Sequence, residues 1–186
     1  LSTTVGQILV NSHLPPELRD YNRKLDKKGI QQLFQTVAEK HPDKYRDISK
    51  GLFDVGRDSS YASGSQSFGL KHLLPAKASL ANRAEMEEVI QRVMTDNTLS
   101  EKEKEEKLIV ETHKRSGPLA DAIYEESLAE HNPLAEQVQS GSRGNKINLK
   151  SLRGGDGLYE DHKDNLIPVP ILRSYSTGLT PAEYWA

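Results

Sequence analysis

The spacing of apolar residues changes several times along the chain, and each change predicts an element. Val5-Gly6-Gln7-Ile8-Leu9-Val10 is a short, β-branched run that stops at Leu14-Pro15-Pro16, where two prolines forbid a continuing ladder or helix. It predicts an extended, strand-like lead-in. Ile30, Leu33, Phe34 and Val37 follow the i, i+3, i+4, i+7 rhythm of an amphipathic helix, begun after Asp26-Lys27-Lys28 and ended near His41-Pro42. Ile48, Leu52, Phe53 and Val55 suit a further short helix between Tyr45 and a break at Gly56. Ser59 to Gly69, small and polar with Tyr61 and Phe68 interleaved, reads as an ordered loop or an edge-strand pair, with a Ser/Gly linker as the alternative.

The fullest helical stripe is Met86, Val89, Ile90, Val93 and Met94. Asp96-Asn97-Thr98 supplies a turn, and Ser100 with Glu103 three residues on forms a capping box that starts a second helix. Residues 101–107 of that helix contain nothing apolar, and Leu108, Ile109 and Val110 supply packing only afterwards. The pattern predicts an antiparallel helical hairpin with a solvated tip and a packed base, against the alternative of a charged linker. Ser116-Gly117-Pro118 is expected to end the second helix, with a shorter one from about 119 to 129. The fold class expected is α+β, predominantly α-helical, with short strands and loops near the N-terminus and after residue 155.

Composition sharpens this picture. Hydrophobic residues make up 35% of the 186 positions, or about 38% when Gly is counted in place of Tyr, against roughly 45–50% in an average globular domain. So polar a chain is either partly disordered or a portion of something larger that lends it a core; Leu1 in place of Met, and a helix beginning at Tyr184-Trp185-Ala186, favour the second. No apolar run reaches the roughly 18–20 residues of a spanning helix, and no secretory pattern opens the chain. The absence of cysteine excludes disulfide scaffolds, thiol catalysis and thiolate metal sites.

Candidate chemistry gathers after Ser140. Between Gly141 and Gly155 stand four cations and no carboxylate, in a chain whose 25 Lys+Arg against 27 Asp+Glu give a net charge of −2. If residues 144–153 are helical, Arg143, Lys146, Lys150 and Arg153 fall within an arc of roughly 80°. Leu149 and Leu152 then face away as an anchor, with Ile147 at the edge. Gly141 and Gly144 ahead of the helix let backbone N–H groups approach an anion, which the helix N-terminus also favours, and a guanidinium grips phosphate bidentately. The stripe therefore reads as a phosphate or nucleic-acid contact, against the plain alternative of solvated cations on an exposed helix.

The run Ser140-Gly141-Ser142-Arg143-Gly144-Asn145, with Leu152, Gly154, Gly157 and Leu158 after it, resembles the Ser-Gly-Ala-Arg-Gly-Ser signature of the β′ (largest) subunit of multisubunit DNA-directed RNA polymerases. Asn132-Pro133 precedes it as the family's Asn-Pro does. Pro170-Ile171, Gly178-Leu179-Thr180 and Glu183-Tyr184 resemble the approach to that family's bridge helix. Thr3-Thr4-Val5-Gly6, Asn11, Leu14-Pro15, Asn22 and Leu25-Asp26-Lys27-Lys28 resemble the opening of its pore domain. Three departures stand out: Gln7 in place of the usual Arg, Asn148 in place of Gln, and Gly154-Gly155-Asp156-Gly157 in place of Gly-Met-Arg-Gly. Such divergence resembles the β′-like subunits of large bacteriophages.

The resemblance implies a pore-like region at 1–80, a funnel-like hairpin with its following helix at 81–131, and at 132–186 the signature arginine, a loop supporting the bridge helix, and the start of that helix. It implies a secondary channel that admits nucleoside triphosphates, passes the RNA 3′ end and receives regulatory factors. Arg143, Lys146, Lys150 and Arg153 would be the phosphate-binding cations and Gly141, Gly144, Gly154 and Gly157 the signature backbone. The implied partners are the remaining β′ segments, the β subunit, triphosphates, RNA and, through the assembly, DNA; the implied compartment is the bacterial cytoplasm, or a virion for a phage protein.

The Mg²⁺ of the complete polymerase calls for a carboxylate cluster. Here Glu160-Asp161-His162 with Asp164 reads as a polar turn, and the six histidines show no ligand spacing. No cofactor or catalytic residue is therefore expected in this segment, which should be inactive alone. A freestanding regulatory module, touching a polymerase or RNA through its hairpin and basic helix, is the alternative reading.

Overall fold

The computed structural model describes residues 3–64 and 66–186; Leu1 and Ser65, which figure in the expectations above, lie outside them. The fold is predominantly α-helical, and its chain divides into two compact units, residues 1–67 with 139–143 and residues 68–138 with 144–186.

In the first unit, α1 (Val5–Ser12) replaces the expected extended lead-in. A capping box overrides the β-branched composition. Thr4 accepts the Gln7 N–H, and the Gln7 side chain accepts the Thr4 N–H in return. The Gln7 amide also donates to the Arg23 carbonyl, so the residue that departs from the family pattern holds its own helix in place. Asn11, buried, fixes α1 to the following chain: its amide donates to the Gln7 and Asp20 carbonyls and its oxygen accepts the Asp20 N–H.

Asp26 caps α2 (Lys27–Lys40), and α3 runs from Tyr45 to Ser63. The helix passes through Gly56, which is exposed and costs only a few tenths to about 1 kcal/mol, and stops at Gly64 in the left-handed region at φ 73°. So residues 59–63, expected as loop, are helical. Leu14, Leu18, Leu33, Val37 and Ile48 form the core of this unit.

The second unit contains α4 (Lys77–Thr95) and α5 (Glu101–Ala129), which pack together as a hairpin. Met86, Val93 and Leu108 are buried between them, while Glu101, Lys102, Glu103 and 105–107 at the tip are exposed. Ser100 and Glu103 make the expected capping box. The expected stop at Ser116-Gly117-Pro118 does not occur. Gly117 and Pro118 lie on the solvent side, where water can hydrate the carbonyl that proline leaves without a donor, while Leu108, Thr112, Ala120 and Ile123 keep one buried face continuous across them.

Short helices complete the unit: α6 (Pro133–Ser140), whose last two residues belong with the first unit, α7 (Lys146–Arg153) and α8 (Pro181–Trp185). Ala76, Ile123, Leu134, Ala135 and Leu149 make its core. The strands expected after residue 155 are reduced to two antiparallel bridges, Gly157 with Ile171 and Glu160 with Leu166. No helix among the described residues is long and apolar enough to cross a membrane.

Candidate functional site

The turn from α6 to α7 carries Arg143. Gly141 and Gly144 bracket it with φ of 71° and 72°, a conformation that a side chain with Cβ rarely adopts. Residues 139–148 are all exposed, Arg143 among them, and the neighbouring Ser142 N–H donates to the Ser140 hydroxyl. Asn145 then caps α7 by accepting the Asn148 N–H, and the Asn148 oxygen accepts the Asn145 N–H. Asparagine suffices here because the reciprocal bond needs only a short side chain.

The four cations do not form the open stripe that their spacing predicts. Arg143 belongs to the first unit, and the other three belong to the second. Lys146 is exposed; its ammonium donates to Asp121 at 2.6 Å and lies 4.6 Å from the centre of the Tyr124 ring. Lys150 and Arg153 are 3% exposed. The anchored side of α7 thus carries cations as well as Leu149, while Ile147 is 64% exposed.

Arg153 donates to the Leu74 carbonyl at 2.9 Å and to the Ser127 hydroxyl at 2.5 Å, and pairs with Glu130 at 2.8 Å. Its own carbonyl accepts the Ala76 N–H. Lys150 donates to the Ser116 hydroxyl at 2.7 Å and the Asp156 carbonyl at 2.9 Å. Burial pushes its ammonium below the ordinary lysine value, against the opposing pull of Asp156. Apart from Asp156, these partners come from residues 74–130, too distant in the chain for periodicity to reveal.

Gly154 and Gly155 follow at once, packed so closely that a Cβ at Gly155 would lie 2.3 Å from the Ile171 carbonyl oxygen. At Gly157, φ is 90° and the residue exchanges both backbone bonds with Ile171. Beyond them two carboxylates organise the chain. Asp156 accepts hydrogen bonds from Tyr159 and Tyr175, both at 2.6 Å. Burial works to raise its pKa, but hydrogen bonds from Ser151 and the two tyrosines, with the Lys150 charge, outweigh it and hold the carboxyl below its ordinary value.

Glu183, 6% exposed, accepts the Leu172 and Arg173 N–H groups on one oxygen and the Thr180 N–H and hydroxyl on the other. Sequence reading missed its role, although Thr180 and Glu183 have the same spacing as the capping box at Ser100 and Glu103. For Glu183, too, burial raises the pKa and these hydrogen bonds more than compensate, leaving it depressed.

A carboxyl whose native pKa is below its unfolded value of about 4.3 stabilises fully above that value and loses its contribution as pH falls through the native one. Thermal unfolding of wild type and Glu183→Gln should therefore differ most above pH 5 and converge in stronger acid. A constant difference from pH 6 to pH 3 would contradict this assignment.

Compared with curated proteins, the chain aligns end to end with DNA-directed RNA polymerase subunit beta′ of Petrotoga mobilis, at 30% identity over 195 aligned positions. The corresponding subunits of Thermosipho africanus and Salinispora tropica are 28% and 29% identical over 189 positions, again covering the whole chain. The chain is related over its full length to a segment of RNA polymerase β′ subunits. It spans 12–14% of the length of these relatives. No family model matches it.

Among the described residues, no three His, Asp or Glu side chains converge as a metal site. Asp161 is taken up in a turn, accepting the Lys163 and Asn165 N–H groups and the Asn165 amide. Asn132, ahead of Pro133, is buried; it donates to the His72 carbonyl and accepts the Leu134 N–H, so the Asn-Pro of the β′ pattern joins the start of α6 to the chain before α4.

Proposed function

We propose that this chain is part of the largest subunit of a DNA-directed RNA polymerase, lining the secondary channel through which nucleoside triphosphates enter and the RNA 3′ end is extruded. In this reading α8 opens the bridge helix, the chain between α7 and α8 supports it and the trigger loop, and the α4–α5 hairpin is the funnel projection that meets channel-entering factors. End-to-end similarity to β′ supports the assembly, with β and the remaining β′ segments as partners and nucleotidyl transfer as its reaction. Catalytic Mg²⁺ would be held by other parts of that assembly.

The observation that carries the local reading is Arg143, exposed on a turn fixed by two left-handed glycines. A guanidinium so placed can grip phosphate oxygens in a bidentate way while adjacent amides add donors. Lys146 is the second surface cation of the set. Lys150 and Arg153 act in this proposal from behind, by holding α7 in place.

Arg143→Ala in the assembled polymerase is expected to raise the apparent KM for triphosphates about tenfold, the loss of one charge-assisted contact, with assembly intact. An unchanged KM would count against the assignment. The hairpin tip calls for a selective variant: Glu103 caps α5, so neutralising Glu105 and Glu106 alone probes factor binding without weakening the helix start.

A further inference from the structure

The chain between α7 and α8 is nearly devoid of regular structure, yet its ends are held by side chains. Two backbone bonds join Gly157 and Ile171, at 3.0 and 2.7 Å, and the Ile167 N–H donates to the Tyr159 carbonyl at 2.9 Å. That is a thin ladder for a stretch of this length. What closes it is the Asp156 carboxylate, where Tyr159 and Tyr175 converge on one oxygen from positions 3 and 19 residues downstream.

We propose that Asp156 is a positioning residue: through Tyr175 it clasps the far end of this loop onto α7, and so sets the orientation of α8. The path can be followed atom by atom. Asp156 is tied to α7 because its carbonyl accepts from Lys150 and its carboxylate faces Ser151 and Lys150. The Tyr175 hydroxyl donates to that carboxylate and the Tyr175 N–H to the Ser151 carbonyl at 3.4 Å.

Next to Tyr175, buried Ser174 bonds the hydroxyls of Ser176 and Thr177 and accepts the Thr177 N–H. Arg173 and Leu172 donate their N–H groups to Glu183 of α8. Residues 171–178 are therefore gripped on one side by Asp156 and on the other by Glu183. An anion serves this purpose better than a neutral acceptor, since two phenol hydroxyls can share one carboxylate oxygen and charge-assisted bonds are roughly twice as strong as neutral ones. A cation in place of Asp156 has no lone pair to offer either phenol.

The importance of the clasp for transcription rests on the β′ reading, but the clasp itself can be tested on the full chain without any polymerase. Amide hydrogen exchange at Leu172 and Arg173, whose N–H groups donate to Glu183, reports the hold on α8. Amide hydrogen exchange at Gly157 and Ile171 reports the loop.

Tyr175→Phe, which removes one hydroxyl from a half-exposed ring, is expected to speed exchange at Gly157 and Ile171, and at Leu172 and Arg173, about tenfold, with far-UV helix signal unchanged. Asp156→Ala should exceed it, and Asp156→Asn, which keeps an acceptor oxygen, should fall between. Unchanged exchange at Gly157 and Ile171 in Tyr175→Phe would overturn the clasp, even if Asp156→Ala fails to fold. Faster exchange at Gly157 and Ile171 with unchanged exchange at Leu172 and Arg173 would overturn the positioning of α8. Neither outcome bears on the Arg143 measurement, so failure of the clasp and failure of the β′ reading are distinguishable.

Discussion

Replacing Arg153 by alanine is expected to destabilise the second unit by about 2–4 kcal/mol, the cost of leaving buried acceptors without a donor; the ion pair to Glu130, whose carboxylate is exposed, adds little. The substitution leaves the Leu74 carbonyl, the Ser127 hydroxyl and Glu130 without their shared donor, and Ser127 is fully buried. Lysine should recover little, because one ammonium cannot reach three acceptors that the planar guanidinium fork serves at once. Urea unfolding of the three proteins measures this directly. A loss below about 1 kcal/mol would mean that water replaces the guanidinium at these acceptors.

Gly155→Ala is expected to be nearly as damaging, for a steric reason. Its Cβ would meet the Ile171 oxygen at 2.3 Å and the Leu172 carbonyl carbon at 2.8 Å, and both are backbone atoms with little freedom to move aside. Relief requires separating the Gly157–Ile171 bridge, with a loss of roughly 3 kcal/mol, the upper end of the overpacking range. Gly56→Ala provides the opposite case. No atom lies within 4 Å of that Cβ in the middle of α3, so the substitution should stabilise by about 0.5–1 kcal/mol. Denaturation midpoints that fall for Gly155→Ala and rise for Gly56→Ala would confirm both; a neutral Gly155→Ala would show that the contact of Gly155 with Ile171 and Leu172 is looser than its geometry.

Periodicity found the elements whose apolar faces are local. The stripes at 30–37 and 86–94, and the Ser100–Glu103 box, correspond to α2, α4 and the start of α5. It failed where a polar contact outweighed composition. Val5–Val10 has β-branched residues but Thr4 and Gln7 commit it to a helix, and the break expected at Pro118 is overridden by the buried face on either side of it.

The turn that carries Arg143 was legible because glycines at turns leave a local signature. The inward turn of Lys150 and Arg153 was not, since helical spacing fixes which residues share a face and is silent on what that face meets. Asp156 was visible only as a departure from the family pattern. Its two tyrosines give it a purpose, and Tyr175 is brought to it by a chain reversal that no local rule encodes.

The Arg153 contact also orders events during synthesis. Leu74 leaves the ribosome 79 residues before the guanidinium that will satisfy its carbonyl, and α4 with α5 can pair in that interval through contacts between neighbours in the chain. Until residue 153 is made, the nascent second unit holds a polar socket with nothing in it. Gln139–Arg143 join the first unit only after the whole hairpin has been translated, yet the core of that unit is drawn from residues 14–48 and is complete by then; a ribosome paused just before this stretch would hold one finished core and a second still lacking Leu149.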